Sequence, residues 1–354
     1  MAIELTGFQA AILKFQEAIQ RAKKLLQAEA GQTPVRFMVG PTLVSFLEEE
    51  SVTTNAIQSV LMAPPGESRP SGVRIVGDYS GWHLDNGFSH DILEEMNLGH
   101  LQRLAAEFGL KFSYYGPTHR WDIYDVEKKI GIRFLPNPDA NPEWEMSSPL
   151  GNFCAWIAEQ DGLVMLHGGT LSRNGESGVL LVGEGGSGKS GATLECVLNG
   201  FSTVGDDYVL VSTRPPFFVY PIIQSLKQDE RGLQRLGITP SGDPNFQGKY
   251  ILTLSSLLEP ERIKPFKLTS IVVPKIVDTD TTLKECSSQE AFKALAIPVA
   301  RQLPYDLKAL FSITALLVRE LPCYSLQVKR SDPNVVQVIS DLCKSGEVPE
   351  CWAY

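Results

Sequence analysis

The octapeptide Gly183-Glu184-Gly185-Gly186-Ser187-Gly188-Lys189-Ser190 constrains this chain more than any other segment. It has the form G-x-x-x-x-G-K-[ST] and lies between an apolar run, residues 178–182, and a helix-like stretch, residues 192–198. In a strand–loop–helix setting, such glycines let backbone N–H groups wrap a phosphate chain. Lys189 supplies a point charge for the outer phosphate oxygens, and Ser190 supplies a hydroxyl for Mg²⁺. Residues Gly183, Glu184, Gly185, Gly186, Ser187, Gly188, Lys189 and Ser190 are therefore expected to hold a nucleotide's phosphates.

A second pattern shares these letters. Gly183, Gly185 and Gly188 also satisfy G-x-G-x-x-G, and the acidic pair Asp206-Asp207 follows at roughly the 20-residue interval of a dinucleotide site. In such a site the acid ends its strand, whereas here the apolar run Tyr208-Val209-Leu210-Val211 continues beyond it. A dinucleotide loop also has no use for a lysine at position 189, which a phosphate loop requires.

At 354 residues the chain is long enough for two domains, and 43% hydrophobic content suffices for buried cores. A net charge of −9 argues against a general nucleic-acid binder, which shows a basic face. No apolar run approaches the roughly 20 residues of a membrane span, and no signal-like apolar stretch opens the chain. The expected compartment is the cytoplasm. The six cysteines are Cys154, Cys196, Cys286, Cys323, Cys343 and Cys351, scattered without C-x-x-C pairs. They suggest neither a zinc site nor a disulfide framework.

Residues 8–29 carry an amphipathic helical pattern, suited to docking on their own domain or to self-association. Short β-like runs follow at 35–39, 59–62, 73–76, 111–115, 121–124 and 131–135, with a helix expected within 91–108. Trp82, His83, His119 and Trp121 are expected to pack a core or interdomain surface. The turn-rich stretch 136–142 is the expected linker, so that residues 1–140 form a strand-rich α+β domain and residues 141–354 an α/β domain. In the latter, helices are expected at 150–160, 305–317 and 335–343. Strands are expected at 163–166, 178–182, 203–211, 217–220, 271–277 and 323–328.

The order His167, phosphate loop, Asp206-Asp207 resembles the catalytic domain of the HPr kinase/phosphorylase family. The resemblance rests on Leu166-His167-Gly168, Gly178-Val179-Leu180-Leu181-Val182-Gly183, Gly188-Lys189-Ser190, Gly200 and Gly205-Asp206-Asp207, and covers residues 163–212 closely. Residues 296–304, Leu321-Pro322-Cys323-Tyr324-Ser325-Leu326, Gly77-Asp78-Tyr79-Ser80-Gly81-Trp82 and Ser148-Pro149-Leu150 are similar to HPr-kinase-related proteins of peptide-modification gene clusters. The downstream signature of true HPr kinases is not found, and Gly191 stands where those enzymes have an acid. The likeness therefore points to the related group. It implies a P-loop nucleotide-binding domain of the HPr kinase C-terminal-like, phosphoenolpyruvate-carboxykinase-like kind, using ATP and Mg.

What the resemblance implies for single residues follows the chemistry of phosphoryl transfer, which needs charge neutralisation and positioning more than covalent catalysis. Asp206 would accept the proton of the attacking hydroxyl, His167 would orient acceptor or phosphoryl group, and Lys189 would neutralise charge. Asp207 joins Ser190 on the magnesium side. Lys227 occupies a position where related sequences are basic, and is the candidate for touching phosphate or acceptor. Arg231 and Arg235, at helical spacing, and Arg301 are weaker candidates of the same kind. The implied activity is phosphorylation of a Ser or Thr hydroxyl on a peptide or small protein, with a homo-oligomer left open. A non-catalytic ATP sensor and a small-molecule hydroxyl kinase fit the phosphate loop equally well, and only the His167–Asp206 combination favours catalysis.

Overall fold

In the computed structural model, residues 2–28, 33–48, 52–64, 72–79, 98–137, 140–330 and 332–345 are described. They divide into two units, Met1–Ile157 and Ala158–Tyr354, and both sheets and helices contribute to each, a mixed α/β architecture. Among the described residues, no helix is long and apolar enough to cross a membrane.

The first unit is built on a six-stranded sheet in the order β1-β2-β3-β6-β5-β4. Its strands are β1 (Val35–Val39), β2 (Thr42–Leu47), β3 (Val73–Asp78), β4 (Leu110–Tyr115), β5 (Arg120–Asp125) and β6 (Ile130–Phe134). Among the described residues, helices α1 (Ala2–Ala28), α2 (Val52–Val60) and α3 (Leu98–Glu107) accompany it. Helix α1 buries Phe8, Ile12, Phe15 and Ile19 with Leu101, Phe112, Trp121, Ile123 and Ile132, which is the docking role its pattern suggests. Trp121 packs among Phe15, Phe112 and Tyr114, while His119 bonds the Tyr114 hydroxyl at 3.1 Å. Trp82 and His83 lie outside the described residues. The run at 59–62 is not a strand. Ala56, Ile57 and Val60 are buried at helical spacing, so this stretch closes helix α2, a case where a short apolar run fits either period.

A buried charge network ties the end of this unit to its sheet. Asp122 and Arg133 face each other across β5 and β6, and Arg133 donates to both Asp122 oxygens at 2.7 and 2.9 Å. It also donates to Glu145 at 2.6 Å, and Arg120 reaches the other Glu145 oxygen at 2.7 Å. The Asn152 amide and the Leu150 N–H complete the set at 2.8 and 2.9 Å. Against a burial that would raise it, the Arg133 and Arg120 guanidiniums hold the Asp122 carboxyl below the usual range. Residues 143–157, beyond the turn-rich stretch 136–142, thus pack with the first unit, and Phe153 and Trp156 pack against Tyr124.

The second unit opens within helix α4 (Gly151–Gln160) and centres on a seven-stranded sheet, β10-β9-β7-β8-β13-β15-β14. Its strands are β7 (Leu163–Ser172), β8 (Ser177–Val182), β9 (Tyr208–Ser212), β10 (Phe218–Tyr220), β13 (Phe266–Val277), β14 (Thr282–Glu285) and β15 (Cys323–Lys329). A separate ribbon pairs β11 (Ser225–Asp229) with β12 (Lys249–Thr253). Strand β7 runs antiparallel to both β8 and β9, while β8, β13 and β15 are mutually parallel. Helices α5 (Lys189–Leu198) and α9 (Asn334–Ser345) cover the sheet through Ala192, Val197, Val335, Val338, Ile339 and Leu342. Helices α6 (Glu230–Arg235), α7 (Ser288–Gln302) and α8 (Leu307–Glu320) complete it. The strand expected over 203–211 is regular only from Tyr208: β7 still bonds the Gly205 and Asp207 carbonyls, but the Val204 and Gly205 N–H groups donate to the Thr170 and Thr203 hydroxyls.

Arg133→Met should leave Asp122 and Glu145 buried without their main counter-charge, lowering unfolding free energy by about 3–5 kcal/mol. Urea unfolding of the full chain checks this, and an unchanged first-unit transition would contradict it.

Candidate functional site

Strand β8 delivers the chain into the loop from a fully buried apolar run, Val179 to Val182. Helix α5 begins at Lys189, and its N-cap, Gly188, sits at φ 105° with no side-chain cap. The first-turn N–H groups of α5 therefore keep no capping partner and carry the positive end of the helix dipole toward the loop. Lys189 is only 5% exposed. Its ammonium donates to the carbonyls of Gly183 at 2.6 Å and Glu184 at 3.0 Å, folding the loop around the charge. Burial lowers its proton affinity, and the charges of Asp206 and Asp207 oppose that. Nothing stands near the Cβ positions of Gly185 and Gly186, so the loop's outer edge is open. Glu184 is solvent-exposed and lies 3.6 Å from Arg301, which brings Arg301 to the loop.

Asp206 lies behind the loop, 2% exposed, at the irregular entry to β9. It fits there because β7 has a glycine opposite. A Cβ on Gly169 would come within 2.6 Å of the Thr193 hydroxyl and 3.0 Å of Asp206 Oδ1. Burial pushes the Asp206 carboxyl up to about 6; a hydrogen bond from Ser190 works against it, Asp207 adds to it and Lys189 opposes it. Asp206 Oδ1, Thr193 Oγ1, Ser187 Oγ and His167 Nδ1 are buried without a hydrogen-bond partner. Four orphaned polar atoms around one glycine-rich loop are a polar lining of the kind that suits a polar ligand.

His167 stands on β7 directly across from Tyr208, their rings edge to face with centroids 5.5 Å apart. Its Nδ1 lies 3.4 Å from Asp207 Oδ1. Burial pulls the imidazole down to about 4, and Lys189, Lys227 and Lys249 add to this against the pull of Asp207, so the ring is neutral near pH 7. Lys227, on β11, donates to Asp207 Oδ2 at 2.5 Å. Asp207, expected on the magnesium side, is thus engaged by a lysine. Among the described residues, no group of three or more His, Cys, Asp and Glu side chains is arranged to hold a metal ion.

The fold therefore brings Lys189, Ser190, His167, Asp206, Asp207 and Lys227 to one place. Arg231 is exposed on α6, and Arg235 lies 3.6 Å from the Cβ position of Gly191. Sequence reasoning missed Gly169, Thr193 and Lys249. For Thr193 a signal existed, since it falls one helical turn beyond Lys189 and so on the same face. No protein-family model matches the chain, and no curated protein matches it.

An aspartate whose folded-state pKa lies above its unfolded value destabilises the fold at pH above both, and the penalty disappears below the unfolded value of about 4. Asp206→Asn should therefore raise the melting temperature at pH 7.5, the underlying shift corresponding to roughly 2–3 kcal/mol. The gain should shrink as pH falls from 7 toward 4. Scanning calorimetry across that range checks both statements.

Proposed function

We propose that the second unit is an ATP- and magnesium-dependent kinase transferring the γ-phosphoryl group to a Ser or Thr hydroxyl of a peptide or small protein. The observation that carries this reading is Asp206. A carboxylate buried behind a G-x-x-x-x-G-K-[ST] loop and raised to about 6 is a structural liability with a chemical use. A proton acceptor works best with a pKa near the operating pH.

On this reading residues 183–190 form a P-loop of an HPr-kinase-like domain. The four orphaned polar atoms and the uncapped start of α5 support the fit to a phosphate chain. Ser190 would hold Mg²⁺, which would supply positive charge to offset that of the phosphates. Lys189 exchanges its loop carbonyls for phosphate oxygens. The acceptor hydroxyl oxygen forms a bond to the γ-phosphorus as the bond to the ADP oxygen breaks, and the hydroxyl proton passes to Asp206. His167, neutral, accepts or donates a hydrogen bond without adding charge, and Asp207 holds Lys227 while adding its charge on the magnesium side. The acceptor class rests on the resemblance of residues 163–212 to HPr-kinase-related proteins; nucleotide binding and transfer rest on the residues themselves.

Transfer of label from γ-labelled ATP to candidate peptides tests the reading. Wild type should transfer, and Asp206→Asn should lose about 100-fold or more, the usual scale of a missing general base. Tight Mg·ATP binding with no transfer, indifferent to the substitution, would instead identify a nucleotide sensor. A separate expectation concerns pH. Since only ionised Asp206 accepts a proton, kcat/KM should fall as pH drops through about 6, with His167 contributing nothing until about 4. An acidic limb that survives in a residually active Asp206→Asn would contradict the assignment.

A further inference from the structure

The β11–β12 ribbon sets Lys227 opposite Ile251 and Asp229 opposite Lys249. Side chains alternate along a strand, and directly opposed residues share a face. Ser225, Lys227, Asp229 and Lys249 therefore stand on one face, while Leu226 turns to the other and enters the core. Lys227 and Lys249 are diagonal neighbours of like charge, close enough for one anion to meet both.

The two lysines are not treated alike. Lys227 has Asp207. Lys249 faces Asp229, but that carboxylate caps helix α6, accepting from the Gly232 N–H at 2.7 Å, and forms no ion pair with Lys249. Among the described residues, the Lys249 ammonium has no anionic partner, although the residue is half-buried. Its charge reaches His167 and Lys189, lowering the proton affinity of both. On the same face, the Ser225 hydroxyl is fully buried and has no hydrogen-bond partner. Two ammoniums, those of Lys227 and Lys249, thus share one ribbon face, and the carboxylate bonded there, Asp207, is held by Lys227.

We infer that Lys249 binds the terminal phosphate of a nucleoside triphosphate and makes the site prefer triphosphate over diphosphate. The inference rests on the nucleotide-binding reading of the loop. The division of labour follows from placement. Backbone N–H groups of a glycine-rich loop wrap the inner phosphates and Lys189 serves the outer bridge. Lys249 arrives from the ribbon on the face whose Lys227 donates to Asp207. A lone half-buried ammonium there gains a counter-ion only when a third phosphate is present, so its attraction falls on ATP and not on ADP.

Titration calorimetry of the full chain with Mg·ADP and with the Mg complex of a β,γ-imido ATP analogue tests this. Lys249→Met keeps the side-chain stem and removes the charge. It should weaken the triphosphate analogue roughly 10- to 100-fold, as expected for a lost hydrogen bond to a charged group, with ADP affinity changed by less than about threefold. Lys249→Arg, which keeps the charge, should hold the triphosphate within about tenfold of wild type. Equal weakening of both nucleotides by Lys249→Met, or none of either, overturns the inference and leaves the nucleotide reading standing. Failure of wild type to bind either nucleotide removes that reading, and the inference with it.

Discussion

Strand β7 is the member on which the second unit's geometry depends. It lies antiparallel between β8 and β9, so one strand fixes the distance between the segment that launches the glycine-rich loop and the segment that carries the acidic pair. Register then decides which groups meet. Pairing of His167 with Tyr208 puts the imidazole beside Asp207, and pairing of Gly169 with Leu181 leaves the space that Asp206 fills. A slip of one residue would turn every one of these side chains to the other face.

Buried charge is used in opposite ways in the two units. Around Arg133 each ion has a partner: Asp122 takes both forks, Glu145 bridges two arginines, and Asn152 and Leu150 satisfy remaining oxygens. Such a network fixes one arrangement of strands β5 and β6 and of the segment after them. Around Lys189 the pairing is incomplete. Asp206 keeps an orphaned oxygen and His167 keeps an orphaned nitrogen. Under-satisfied polar groups concentrate where a fold has something left to bind, while fully satisfied ones hold its frame.

The local part of this was legible in the sequence. The run β8, the loop and the start of α5 are contiguous, and glycine, lysine and serine have few other reasons to stand in that order. His167, Asp206, Asp207 and Lys227 followed because their order along the chain resembles one family, and they do converge. What stayed hidden depends on nonlocal pairing. Lys249 opens the short run Lys249–Thr253, and only the β11–β12 register puts it on one face with Lys227. Helix α7 went unread because Pro298 sits inside it, a residue that argues against a helix interior. Helix α2 was mistaken for a strand because its apolar run is short. The division between units lies within α4 because Glu145 and Phe153 are anchored by β5 and β6, a tie that the turn-formers at 136–142 do not disclose.

Gly169 gives the site a dependence that its chemistry alone does not suggest. The residue has no side chain to touch a ligand or carry a proton, yet its missing methyl is the volume into which the Asp206 carboxyl and the Thr193 hydroxyl fit. A survey of this chain by substitution would find a backbone position on β7 as intolerant of change as the acid itself. The two would fail for unlike reasons, one through loss of a reactive group and the other through loss of the room that group occupies.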